Sequence, residues 1–333
     1  MALKMMFMAC FMIFYQISPV LSGDIIEPGA NGQINWTDGI VYAEGMGPVE
    51  EALLNNPRGK LIARRIAIVD CQRNLLEMVK GVRVTSVTMV RDLMVEKDIV
   101  MTSISGIIKN AEIVKERFDE TDKIFYITMK MPFSGKFMDT VVDDKMLSTQ
   151  RSDLFKPFQL SALWGGFFMS NAWAADTASI DFDSSEKETL DKVLRLFQQS
   201  GSEVGINRLK QVIADFEKFD LFSGVVINAL NATGFRPAIC ARLRKTDGKV
   251  VYPGDFLDLK KVNSSLLYSW NDNLEEAKTT KRVTDRPLII HAQSIYKQQR
   301  SDLIVSDKDA ESIILMAQGG EVLKRCRVVI VTK

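Results

Sequence analysis

A single histidine, His291, serves the whole 333-residue chain, and that scarcity limits function more than any motif present. Histidine-rich zinc or iron sites are excluded, and a Ser-His-Asp or Cys-His device would have to pass through this one side chain. It lies in Leu288-Ile289-Ile290-His291-Ala292, a strand context in which a hydrogen-bonded sheet histidine is the ordinary explanation. An excess of one charge is missing too, with 43 Lys and Arg against 42 Asp and Glu and no long single-sign block. Capture of nucleic acid needs a concentrated basic face, so none is expected. The clusters Arg64-Arg65 and Lys324-Arg325-Cys326-Arg327 read as solvated faces.

Cysteine is also scarce. Once a leader containing Cys10 is removed, Cys71, Cys240 and Cys326 remain, the first in a long helix and the others in expected strands. An odd count permits one disulfide at most; three buried thiols acting as small hydrophobes is the preferred reading. Long hydrophobic runs are absent: the N-terminal one, Met5 to Tyr15 after Lys4, is well short of the roughly 20 residues that span a bilayer. Followed by Pro19 and Val20-Leu21-Ser22, it reads as a signal peptide cleaved after Ser22 or Gly23, the alternative being an uncleaved anchor. Cys10 has no hydrophobic segment ahead of it, which argues against lipidation.

Several signatures are incomplete. Gly45-Met46-Gly47 lacks the third glycine of a dinucleotide fingerprint, since Glu50 takes its place, and reads as a turn. Asp181-Phe182-Asp183 lacks the glycine and spaced glutamate of a calcium loop. Asp139, Asp143 and Asp144 could bring carboxylates together, with a solvated loop as the default. Asn35, Asn231 and Asn263 begin glycosylation sequons, meaningful only in a cell that glycosylates exported chains. No cofactor, metal or catalytic set is expected.

What is present is architecture. Length and 46% hydrophobic content suggest two domains with sizeable cores. Asn55 or Asn56 can cap a helix that opens at Pro57 and ends at Gly81, read as the left-handed terminator. Along it Ile62, Ile66, Val69 and Leu76 recur at helical spacing and are expected to face a sheet, away from Arg64, Arg65, Gln72 and Lys80. A strand with alternating Val82 and Val84 follows. Ile40 to Glu44 reads as a first strand with Gly45 to Pro48 as its exit turn, and Met89 to Ile108 is open between helix and strand. Asn110 to Phe118 and Lys123 to Met131 read as a hairpin, with Phe125, Ile127, Met129 and Met131 on one face.

Between 134 and 219 the chain reads as an irregular apolar segment followed by a helical hairpin. Leu160 to Ala175 carries Trp164, Phe167, Phe168 and Trp173, either as a loop or short helix against the core or as a membrane or partner contact. Ser184 to Gln199 and Glu203 to Phe219 read as helices, the first with a capping box at Ser185 and Glu188. From 220 the chain turns β-rich: Gly224 to Leu230, Pro237 to Arg244, Val250 to Tyr252, Leu288 to Ile295, Leu303 to Val305 and a central Arg327 to Val331. Asp247-Gly248 marks a hairpin, and Ser306 with Asp309 caps a last helix ending at Gly319-Gly320. The expected fold class is α+β: one long helix on an antiparallel sheet over 33–133, then a β-rich α+β domain over 220–333 with a helical insertion. Residues 1–23 form the leader.

Two stretches carry a resemblance. Leu61 to Glu77 followed by Val79-Lys80-Gly81-Val82 resembles the helix-to-strand signature of LPP-type and FlgP-like envelope proteins of flagellated Gram-negative bacteria. Phe222 to Ala229 through Pro237-Ala238 to Asp247-Gly248-Lys249-Val250-Val251-Tyr252 is similar to the downstream half of longer members. Asp302 to Ser306, Asp309-Ala310 and the Arg327 strand also fit, so the resemblance covers roughly two thirds of the mature chain. It implies a non-enzymatic periplasmic or outer-membrane-associated component, in some members a ring or disc around the flagellar motor, with no catalytic residues. This chain departs in lacking the lipidated N-terminal cysteine, and Leu160 to Ala175 and Ser184 to Phe219 have no counterpart in that group.

The expected function is therefore a non-catalytic exported structural or assembly protein of the cell envelope. Its expected partners are copies of itself and other envelope or flagellar proteins, with peripheral membrane contact and no nucleic acid. The alternatives are a periplasmic ligand-binding module with its pocket between the domains, and an exported hydrolase using carboxylate pairs.

Overall fold

The computed structural model describes residues 23–54, 56–147, 210, 222–257, 259–319 and 321–333. The chain opens on three antiparallel strands: β1 (Ile26–Gly29), β2 (Gly32–Asn35) and β3 (Ile40–Pro48). With the hairpin β4 (Glu112–Asp119) and β5 (Ile124–Pro132) they form one sheet in the order β1-β2-β3-β5-β4. β1 and β2 are too short to carry an alternation signal, and the sequence reading omits them. β3 runs straight through Gly45 to Pro48, where a turn was expected, because each of these residues pairs with β5.

Helix α1 (Pro57–Lys80) lies across this sheet. Its start is the expected one: Asn56 Oδ1 accepts the Arg58 N–H at 2.9 Å, and Pro57 fills the first turn. Its end differs. Gly81 has φ −78° and remains right-handed, its N–H bonding back to the carbonyls of Met78 and Val79, so no left-handed residue stops the helix. The buried face also differs from the expected one. Gly59, Ala63, Ala67, Cys71, Leu75 and Val79 face the sheet, whereas Ile62, Ile66 and Val69 face solvent. Two glycines decide this. A Cβ at Gly45 would stand 2.2 Å from the Cys71 amide nitrogen, and one at Gly47 would stand 2.0 Å from the Ala63 carbonyl oxygen. Helix and strand approach so closely that only small side chains fit between them.

The Val82 segment is not a strand. Arg83 makes one isolated bridge with Met89, and Thr85 Oγ1 accepts the N–H groups of Val87 and Thr88, folding the chain back on itself. Val82 and Val84 are buried all the same, as their alternation predicted. The carbonyls of Arg83 and Val84 are satisfied by Ile239 and Cys240 from the C-terminal half. Met89 to Ile108 resolves as two helices, α2 (Val90–Glu96) and α3 (Asp98–Lys109), and two short ones follow, α4 (Lys136–Val141) and α5 (Asp144–Leu147).

The C-terminal half holds two four-stranded sheets. β6 (Gly224–Asn228), β9 (Ser269–Asn271), β10 (Pro287–His291) and β13 (Val328–Val331) are all parallel, in the order β10-β6-β13-β9. β7 (Arg242–Arg244), β8 (Val250–Tyr252), β11 (Ser294–Tyr296) and β12 (Gln299–Ile304) form a mixed sheet in the order β11-β12-β7-β8. The helices α6 (Leu259–Ser265), α7 (Leu274–Thr279), α8 (Asp307–Gly319) and α9 (Glu321–Lys324) connect them. β13 is central and fully buried, as its β-branched run predicted. The Asp247-Gly248 hairpin forms with Gly248 at φ +90°, and Ser306 Oγ accepts the Asp309 N–H at 3.1 Å to cap α8.

Three strand expectations need correction. Pro237 to Arg244 extends only over β7, leaving Cys240 in the turn before it, and Cys326 likewise precedes β13 at φ +53°. Leu288 to Ile295 is two strands in different sheets, because Ala292 and Gln293 cross from one to the other. β9 carries no sequence signal, because three residues around Trp270 are too few for a period. The architecture is α+β, an antiparallel sheet under a long helix followed by a second β-rich unit with helices. One continuous hydrophobic core runs through both halves.

Candidate functional site

Helix α1 carries several large apolar side chains on its surface. Leu61 is 69% exposed, Ile62 37%, Ile66 43% and Val69 60%. Because the glycine seam directs the small side chains inward, the large ones are displaced outward. Arg58, Arg65 and Arg73 stand among them, all exposed. Arg64 turns instead toward β4, donating 2.8 Å from Nε to Glu116. That bond holds Glu116 below the usual carboxylate range and raises Arg64. Lys60 pairs with Glu120 at 2.6 Å and sits 4.3 Å from the Phe118 ring centre. One flank of the helix is thus tied to the sheet by ion pairs, and the opposite flank is open.

The two halves meet at an aromatic seam. Trp36 lies 5.3 Å from Phe133 and 6.0 Å from Trp270, whose ring also contacts Phe235 and Tyr268. Beside it a crevice of about 20 Å³ is lined by Trp36, Gly39, Phe133, Leu266, Tyr268 and Trp270 among others. It lies between the halves, where a ligand pocket was anticipated, but its volume suits one water molecule rather than a metabolite. Arg83 fastens the seam: its guanidinium donates to the Pro237 carbonyl at 2.9 Å and forks onto Glu27, which also accepts from Trp36 Nε1 at 3.1 Å.

The C-terminal half buries an ion pair. Arg244 donates 2.7 Å from Nε to the fully buried Asp302, 2.8 Å to the Gly248 carbonyl and 3.3 Å to Gln299, with Tyr296 stacked at 4.6 Å. Their alternation along β7 and β12 is compatible with this pair, but the parallel register that joins the strands could not be foreseen. Burial pushes the Cys240 thiol up to about 12 and Cys71 up to about 11. The same cause raises Tyr252 and Tyr268 and lowers Arg282, which donates to the Leu266 and Cys326 carbonyls. Among the described residues Cys71, Cys240 and Cys326 are buried and form no disulfide, in line with the hydrophobe reading.

His291 ends β10 with its ring exposed and its Nδ1 3.3 Å from Asn228 Nδ2, a sheet histidine with a hydrogen-bond partner as expected. Asp139, Asp143 and Asp144 are not drawn into one cluster: Asp139 accepts from Asn263, Asp143 pairs with Lys97 at 3.5 Å, and Asp144 opens α5. Of the three sequons, Asn35 is buried and bonded to Asp24 and Asp38, whereas Asn231 is exposed. Trp164, Phe167, Phe168 and Trp173 lie outside the described residues, as do Asp181 to Asp183 and the helices read over 184–219. Among the described residues no group of three or more His, Cys, Asp or Glu could hold a metal ion, and no helix is long and apolar enough to cross a membrane.

The fold thus defines a two-part α+β protein with large apolar side chains exposed on helix α1. Residues 224–333 match the family described as Treponema pallidum Tp0624, second domain, so this part of the chain is similar to a domain of a bacterial protein. No curated protein matches the chain.

Proposed function

We propose that this chain is a non-catalytic, exported structural or assembly protein of the bacterial cell envelope that associates with copies of itself. The observation that carries the reading is the open face of α1, where Ile62, Ile66 and Val69 meet solvent in one stripe. The leader-like N-terminal run supports export, and the match to a Treponema pallidum domain supports a bacterial setting. The finer placement, beside LPP-type and FlgP-like proteins of flagellated bacteria, rests on the resemblance of Leu61 to Val82 and Phe222 to Tyr252. In that setting the protein is periplasmic or outer-membrane-associated, with itself and other envelope or flagellar proteins as partners.

Fractionation of the producing cells tests the location: the reading expects the processed chain in the envelope or periplasmic fraction, and recovery in the cytosol with its leader intact contradicts it. Deleting residues 160–175 tests the flagellar placement and the contact role of Trp164, Phe167, Phe168 and Trp173. Lost motility with export and folding preserved supports both, and unchanged motility removes them. The second reading, a periplasmic binding module, is favoured only by the position of the crevice beside Trp36 and Trp270. A ligand-dependent rise in melting temperature across a metabolite panel would establish it.

A further inference from the structure

The open face of α1 has a spacing of its own. Ile62, Ile66 and Val69 are separated by four and then three residues, and the same alternation continues through Arg73 to the half-buried Leu76. This 3.5-residue period is that of a two-stranded coiled coil, and it lies on the side of the helix away from the sheet. Register follows from charge. Arg65 has no acidic partner among the described residues, and it precedes Asp70 by five positions, the offset at which flanking residues of two parallel helices meet across a seam. Asp70 lies on the other flank of the stripe, partly exposed: its Oδ2 accepts the Met46 N–H at 3.0 Å and the Asn74 amide at 3.4 Å, and its Oδ1, 3.7 Å from Arg73, is the oxygen left for a second copy.

We infer that a second copy of this chain occupies the open face, its α1 packed parallel to the first about a two-fold axis. Ile62, Ile66 and Val69 form the seam, and Arg65 of each copy meets Asp70 of the other. The inference rests on the self-association proposed above and names its surface and register. Arg73 falls within the seam, where a lone charged residue lowers stability while fixing register. About two heptads place the contact at the small end of specific interfaces, so the pair forms and separates with concentration.

Sedimentation or light scattering of the processed chain across a dilution series tests this. Val69→Glu should raise the dissociation constant about tenfold or more and leave the circular dichroism spectrum unchanged, because Val69 supports no core. Arg65→Glu should weaken the pair, Arg65→Glu with Asp70→Arg should restore it, and Arg73→Leu should tighten it. A wild-type chain that associates but ignores Val69→Glu and Arg65→Glu overturns the inference and leaves self-association standing through another face. Failure of the folded double variant to recover overturns the register. A wild-type chain that stays monomeric throughout removes both the inference and the reading beneath it.

Discussion

Gly45 and Cys71 are in such close register that a Cβ on the glycine would stand 2.2 Å from the cysteine amide nitrogen and 2.4 Å from the Ala67 carbonyl. Backbone atoms of a helix cannot yield locally, so Gly45→Ala must lift α1 from the sheet. We expect a loss of about 1–3 kcal/mol, the usual range for overpacking. Gly106→Ala is the control: this glycine lies in α3 with nothing within 4 Å of its added Cβ, and removing its backbone freedom should stabilise by up to about 1 kcal/mol. Thermal unfolding of both variants measures the contrast. Equal midpoints for the two would contradict the close approach.

Breaking the Arg244–Asp302 pair from one side leaves a charge in the core. Arg244→Leu should cost about 3–5 kcal/mol, whereas Arg244→Leu with Asp302→Leu should recover much of that loss. Denaturant midpoints of the single and double variants decide the matter. A double variant as weak as the single one would show that the pair contributes through packing rather than charge.

Burial keeps the thiols of Cys71 and Cys240 protonated far above neutral pH, and thiolate is the reactive form. None of Cys71, Cys240 and Cys326 should react with a thiol reagent at pH 8 while the protein is folded, and all three should react in denaturant. Rapid labelling of the folded chain would contradict their burial.

The acid limb of stability should show Glu116. Its folded pKa is depressed by the Arg64 hydrogen bond, so its stabilisation is complete above the ordinary carboxylate pKa and is lost as pH falls through the lowered folded value. The pair is partly exposed, and its contribution should stay below about 1 kcal/mol. Glu116→Gln should therefore be less stable than wild type at pH 7 and should approach it once pH falls below the depressed folded value. An unchanged difference across that range would sink the assignment.

Much of this fold was legible because its signals are local. Asn56 and Pro57 mark the start of α1, Asp247-Gly248 marks a hairpin, Ser306 with Asp309 marks a cap, and the valine run of β13 marks a central strand. The buried face of α1 differs from the one its periodicity predicts because the choice is not local. Ile62, Ile66 and Val69 look like a core stripe until Gly45 and Gly47 are set opposite Ala63, Ala67 and Cys71. Small residues recurring every four positions, together with glycines two apart in a strand, were the available sign of a close helix–sheet contact. β9 and the crossing at Ala292 escaped because a three-residue strand has no period, and parallel pairing joins segments that no turn connects. The candidate surface was thus visible as a pattern, and only the packing showed which way it points.

The most direct test of self-association is the mass of the purified chain in solution, measured by light scattering from low to high concentration. Growth of the mass beyond that of one chain, reversed by dilution and lowered by Val69→Glu, is the predicted result. A constant single-chain mass over the whole range would contradict it.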